Sequence, residues 1–251
     1  MSTKELFLRA LFLFEMNHFI AEFIGTALLI LLGNGVVAGV VLRGTKNENA
    51  GWMAITTGWA LAVAFAVYAV GRVSGAHLNP AVTLALAATG QFGASEVPLY
   101  IVAQLSGAMA GAVLVWLHYL PHWPRTDDAG SKLAVFATAP AQRHVVSNFI
   151  SEFLGTFVLL FGLSALGAQS FAEGLNPLVV GALVLSIGLS LGGTTGYAIN
   201  PARDLGPRLV HAFLPIPGKG GSDWSYAWIP VVAPIIGGIC GAVAYRSMFV
   251  Q

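Results

Sequence analysis

Two triplets of one composition carry the residues best suited to chemistry, Asn79-Pro80-Ala81 and Asn200-Pro201-Ala202. Asn is a preferred helix N-cap, because its side-chain oxygen accepts an orphan backbone N–H. Pro suits the next position, where its missing N–H is one of those orphans. Each triplet therefore reads as a helix start. While the oxygen caps, the amide NH₂ is left to donate. Two such amides aimed at one place are fixed, neutral donors for a passing oxygen. Arg203, one turn past Asn200, adds a guanidinium with several donors and a permanent charge. It can bind hydroxyls and repel cations.

The helices these triplets start are short. After Asn79 the apolar run reaches about residue 88, and after Asn200 about residue 214, interrupted by charges and Pro207. Ten helical residues rise ~15 Å, roughly half of a hydrocarbon core ~30 Å thick. Paired half-helices in matching halves of an apolar chain point to a permeation or binding site at the midplane. Their N-termini each carry about half a positive charge, which disfavours cations and a proton-carrying water chain. The approach stretches, Ser74-Gly75-Ala76-His77-Leu78 and Thr195-Gly196-Tyr197-Ala198-Ile199, read as irregular. Non-helical backbone at membrane depth is tolerated only where it lines a cavity or is buried in protein. The carbonyls of Gly75, Ala76, His77, Gly196, Tyr197 and Ala198 are then expected to form a ladder of acceptors, facing a wall of apolar side chains.

The elements that must hold these groups follow from composition. The chain has 251 residues, 56% hydrophobic and 9% charged, against about 25% charged in soluble domains. This defines an all-α integral membrane protein. A net charge of +1 argues against nucleic acid as a partner. One cysteine, Cys240, excludes an intrachain disulfide and a multi-cysteine metal site, and reads as a buried small hydrophobe. No metal or cofactor motif is evident. The start, with Lys4, Glu5, Arg9 and Glu15, lacks the form of a cleavable signal and reads as an amphipathic lead-in on the membrane surface.

Six full spans are expected near 18–42, 52–71, 96–119, 147–168, 177–194 and 228–249. The half-helices fall after spans two and five. Phe19-Ile20-Ala21-Glu22-Phe23-Ile24-Gly25-Thr26 recurs as Phe149-Ile150-Ser151-Glu152-Phe153-Leu154-Gly155-Thr156. The chain therefore divides into a repeat at about 18–119, a linking loop at about 120–146 and a second repeat at about 147–249. Three spans per repeat invert the second copy, so the half-helices meet tip to tip. Glu22 and Glu152 are carboxylates inside apolar spans, costly unless paired. Their equivalent places suggest one shared task, holding backbone N–H groups of the approach stretches. Small residues at Gly107, Gly111, Gly237 and Gly241 suit close helix contact.

Charge does not settle orientation. With both termini inside, Lys4, Arg9, Arg72 and Arg246 lie inside, and more basic residues, among them Arg43, Lys46, Arg125 and Arg143, lie outside. The positive-inside rule opposes that placement.

With two Asn-Pro-Ala boxes in inverted three-span repeats, each after a Glu-bearing span, the chain resembles the major intrinsic proteins, the aquaporins and glycerol facilitators, along nearly its whole length. The resemblance implies six transmembrane helices plus two re-entrant half-helices, a plasma-membrane homotetramer in the lipid bilayer, one pore per subunit and cytoplasmic termini. Asn200-Pro201-Ala202-Arg203-Asp204-Leu205-Gly206-Pro207-Arg208 is similar to the glycerol-conducting version of the second box. Asp204 is the marker, since water-selective members usually have a small residue there. The Pro230-Val231 pair fits the same branch.

By the same resemblance, a selectivity constriction is formed by Trp59, Gly188, Tyr197 and Arg203. Trp59 and Tyr197 make an aromatic corner, and Gly188 leaves open space where water-selective members place His. Glycerol facilitators often have Phe where this chain has Tyr197. The implied activity is passive diffusion of glycerol, related small neutral solutes and water, with no covalent chemistry. The alternative is a water-dominant channel that passes glycerol poorly. A coupled transporter, a membrane enzyme and a junction protein fit less well. Asp204 and Arg208 stand four apart and are expected to pair. His77 is expected near one mouth. His118, His122 and Trp123 read as interfacial anchors. Pro217-Gly218-Lys219-Gly220-Gly221 lacks phosphate-loop spacing and reads as a plain loop.

Overall fold

The computed structural model describes residues 3–250, with side chains from Met16 onward. The lead-in expected at residues 4–15 lies outside the residues whose side chains are described. The described chain is all-helical: α1 Thr3–Val41, α2 Gly51–Ser74, α3 Pro80–Ala88, α4 Val97–His118, α5 Ala129–Ala134, α6 Val145–Gly167, α7 Asn176–Ser190, α8 Pro201–Phe213 and α9 Ile229–Phe249. Helices α3 and α8 are the half-helices, and their starts fall directly after Asn79 and Asn200.

Five described helices are long and apolar enough to cross a membrane. The sixth, α7, has 15 helical residues, ~22 Å of rise. The span expected to reach 194 leaves the helix at Ser190 and continues as a turn. Gly192 sits in that turn, where an added Cβ would come within 2.5 Å of the Gly188 carbonyl oxygen and of Tyr197 Cδ1. The chain is an integral membrane protein built as two inverted repeats of three spans and one half-helix.

Small residues decide which helices touch. An added Cβ at Gly107 would lie 2.3 Å from the Phe23 carbonyl oxygen, and one at Gly237 would lie 2.3 Å from that of Phe153. An added Cβ at Gly111 would lie 2.5 Å from the Ala27 carbonyl oxygen, and one at Gly241 2.3 Å from that of Phe157. Thus α4 lies backbone-to-backbone on α1, and α9 on α6, as close packing between apolar helices requires. The repeated Gly-Thr has the same logic. An added Cβ at Gly25 would meet Leu78 Cδ2 at 2.6 Å, and one at Gly155 would meet Ile199 Cγ2 at 3.0 Å. Each span thereby admits the residue just before the capping Asn.

Two minor expectations are corrected. Cys240 is exposed on the outer face of α9, because the buried stripe of that helix falls on Gly237, Gly238 and Gly241 instead. Trp123 is buried, donates to the Trp116 carbonyl at 3.0 Å and stacks on Phe136, so it is a core residue of the linking segment. That segment also contains α5, capped by Asp128, which accepts from Ser131 N at 2.7 Å.

Candidate functional site

Asn79 and Asn200 sit back to back. Each has extended backbone, and each side-chain oxygen caps its own helix: Asn79 accepts from Ala81 N at 2.9 Å, and Asn200 from Ala202 N at 3.0 Å. The amide nitrogens cross over. Asn79 Nδ2 donates to the Ile199 carbonyl at 2.8 Å, and Asn200 Nδ2 donates to the Leu78 carbonyl at 2.8 Å. The expectation of a wholly free NH₂ is therefore corrected. One N–H of each amide ties the two approach stretches together, and one remains for the cavity that both residues line. Leu78 and Ile199, not among the expected site residues, supply the acceptors. Their matched place before each Asn was the signal.

The approach stretches share one unusual backbone. Gly75, Ala76 and Leu78 have φ of 79°, 51° and 52°, and Gly196, Tyr197 and Ile199 have 83°, 38° and 44°. Left-handed residues other than Gly cost ~1–2 kcal/mol each, so the surroundings must impose them. Two buried carboxylates do so. Glu22 accepts from His77 N at 2.9 Å and Leu78 N at 2.7 Å, while Glu152 accepts from Ala198 N and Ile199 N at 3.0 Å. Ser74 Oγ and Gln104 Nε2 also donate to Glu22, at 2.6 and 2.8 Å. Neither residue was anticipated, since a Ser or Gln in an apolar helix carries no motif.

One cavity of about 520 Å³ connects these groups. Gly75, Ala76, His77, Tyr197 and Ala198 line it, and Gly196 does not. Gly196 instead faces Thr138, whose Cγ2 would lie 3.3 Å from an added Cβ. Apolar side chains, among them Leu29, Val63, Leu159, Leu163 and Val184, share the lining. His77 is held in that lining by its neighbours. Its Nδ1 lies 3.1 Å from Thr83 Oγ1, and its ring packs on Phe92 and Tyr100 at 4.7 and 4.9 Å.

Trp59, Tyr197 and Arg203 are all buried and all line the same cavity. Arg203 Cζ lies 4.4 Å from the Trp59 ring centre. Trp59 Nε1, Tyr197 OH and Arg203 Nη1 have no hydrogen-bond partner among the described residues. Three unpartnered donors and two aromatic rings thus belong to the lining of one cavity. Gly188 is close by but does not leave open space. An added Cβ there would meet Tyr197 Cζ at 2.9 Å and Thr56 Cγ2 at 3.0 Å. The missing side chain is where the Tyr197 ring rests.

Asp204 and Arg208 do pair, fully buried, with Arg208 Nε donating to Asp204 Oδ1 at 2.8 Å. Asp204 also accepts from Thr138 N and Oγ1 at 2.7 and 2.6 Å, and Arg208 donates to the Thr138 and Ser222 carbonyls at 2.8 Å. The pair fastens two connecting segments to α8. The Gly-rich loop after α8 has a function of its own kind: Lys219 Nζ donates to the carbonyls of His211, Ala212 and Leu214 at 2.6–2.7 Å. It closes the C-terminal end of the half-helix, where cations are favoured. No cluster able to hold a metal ion occurs among the described residues.

Half-helices that start at two buried Asn caps, crossed over beside one cavity, define a transmembrane channel architecture. The Major intrinsic protein family pattern matches residues 11–245, and the chain belongs to that family. It is 63% identical over 234 residues to the probable glycerol uptake facilitator protein of Thermotoga maritima, covering 93% of this chain and all of the relative. It is 60% identical to the glycerol uptake facilitator protein of Bacillus subtilis, covering 93% of this chain and 85% of the relative. Among solved structures, the aquaglyceroporin from Plasmodium falciparum superposes with a TM-score of 0.83 at 30% identity, covering 94% of this chain and 97% of that one.

Proposed function

We propose that the chain is a passive channel for glycerol and related small neutral solutes, also conducting water and excluding protons and other ions. The observation that carries this reading is one cavity lined both by the approach stretches and by apolar side chains. In this reading Trp59, Tyr197 and Arg203 form its narrowing. A polyol has hydroxyls along one edge and CH groups along the other. The carbonyls of the approach stretches accept from the hydroxyls, while Leu29, Val63 and Leu159 face the CH groups. At the narrowing, Arg203 and Trp59 donate to a hydroxyl oxygen, and the Trp59 and Tyr197 rings flank the carbon chain. At the midplane, Asn79 and Asn200 donate one N–H each. Glu22, Glu152 and Asp204 are supports that hold this lining in place. The glycerol facilitators among the relatives support the same solute class.

In this reading the chain is one channel domain, with repeats at about 18–119 and 147–249 joined by 120–146. It works as a homotetramer in the plasma membrane with cytoplasmic termini, which places the Arg203 narrowing toward the outside and His77 toward the cytoplasm.

Labelled glycerol uptake into proteoliposomes tests the proposal. The channel reading expects rapid equilibration to the external concentration, unaffected by imposed ion gradients. Accumulation above that concentration, or no uptake beyond protein-free vesicles, would overturn it.

A further inference from the structure

The Tyr197 ring, part of the cavity lining, packs closely against its neighbours. It rests on a shelf of two glycines, Gly188 and Gly192, whose added Cβ atoms would lie 2.9 Å from Cζ and 2.5 Å from Cδ1. Thr56 turns its methyl group toward the same Gly188, 3.0 Å from an added Cβ there, its hydroxyl being turned back to the Trp52 and Met53 carbonyls at 3.0 and 3.2 Å. Trp52 closes one side, its ring meeting the Tyr197 ring edge-to-face at 5.8 Å and 79°.

Trp52 also fixes the shelf. Its Nε1 donates to the Gly188 carbonyl at 3.0 Å. That carbonyl lies in the last turn of α7, where helix carbonyls lack partners within the helix. One indole therefore ends α7 through its N–H and braces Tyr197 through its edge, joining α2 to α7. Trp52 does not line the cavity, is partly exposed and belongs to the first turns of α2.

We propose that Trp52 is a positioning residue that sets the aperture of the constriction, acting through Tyr197 and not on the solute directly. With the brace gone, Tyr197 swings toward the space Trp52 leaves, and the narrowing widens. The consequence is a change in size discrimination: longer polyols gain relative to glycerol. The inference rests on the polyol-channel reading above.

The test uses the full chain in proteoliposomes, measuring glycerol and a five-carbon polyol, xylitol, with rates normalised to inserted protein. Trp52→Ala is expected to raise the xylitol-to-glycerol permeability ratio at least about threefold, the factor one edge-to-face contact supplies. Trp52→Phe keeps a ring edge but loses the N–H, and is expected to shift the ratio in the same direction by less. In a Tyr197→Ala background, Trp52→Ala is expected to add no further shift. An unchanged ratio in Trp52→Phe and Trp52→Ala, or an equal further shift in the Tyr197→Ala background, would overturn the inference. If Trp52→Ala fails to insert, Trp52→Phe decides alone. Absence of glycerol flux in the unmodified chain would instead overturn the channel reading, and this inference with it.

Discussion

The guanidinium carbon of Arg203 stands 4.4 Å from the centre of the Trp59 ring. The same ring lies against Gly33, where an added Cβ would come within 2.3 Å of its Cζ3. One aromatic plane thus carries a cation and rests on bare backbone, which fixes both side chains in the lining of the cavity. Arg203 forms no ion pair among the described residues. Arg203→Ala is expected to raise proton leak by about tenfold or more, equivalent to ~1.4 kcal/mol of barrier. A pH-sensitive dye inside proteoliposomes measures it.

Glu152 holds two left-handed residues by accepting from Ala198 N and Ile199 N. Hydrogen bonds to a charged group contribute about 1.5–3 kcal/mol each. Glu152→Gln keeps the shape but loses the charge and one acceptor. It is expected to lower the thermal midpoint in detergent and to reduce solute flux in the same variant. Glu22→Gln is expected to do likewise. Full flux with an unchanged midpoint would show that the approach stretches hold themselves.

The close helix pairs separate two kinds of glycine. Gly237→Val places side-chain atoms against the Phe153 carbonyl and is expected to prevent correct insertion. Gly35→Ala meets nothing within 4 Å in the interior of α1. It is expected to be neutral or to stabilise by up to ~1 kcal/mol through helix propensity. Yield of folded protein on size-exclusion chromatography reads both.

Acid should weaken the connecting segment beside the narrowing. Asp223 joins Arg143 through two hydrogen bonds at 3.1 and 2.5 Å. Burial pushes its carboxyl up, but the Arg143 and Ser225 hydrogen bonds outweigh burial and hold it below the usual carboxylate range. A depressed folded-state pKa stabilises above the unfolded value and is lost as pH falls through the folded one. The contribution is therefore complete at neutral pH and disappears below the ordinary Asp range. Asp223→Asn is expected to lower the midpoint at pH 7 and to flatten its fall on acidification.

Much of the site was legible because capping chemistry is local. Asn-Pro-Ala named both half-helix starts, and the repeated Glu-bearing span named their supports. The tight glycines of α4 and α9 were legible for the same reason, since small residues at helical spacing have one use in an apolar chain. What was not legible depends on contacts far apart in sequence. The crossing of Asn79 to Ile199 spans the two repeats. The Gly188 position reads as empty in one dimension and is filled by Tyr197 in three. Trp52 looked like any aromatic at a span end, and its bond to Gly188 joins residues 136 apart. The early end of α7 also lay hidden, because the apolar run continues through Leu191 after the helix has stopped.

Stopped-flow light scattering on proteoliposomes tests the central claim most directly, with a sucrose gradient followed by a glycerol gradient. The account predicts fast shrinkage in sucrose, then shrinkage and fast re-swelling in glycerol, both weakly dependent on temperature. Fast shrinkage with re-swelling no faster than protein-free vesicles would contradict it, and would mean that Tyr197 and its neighbours close the channel to polyols and leave it to water.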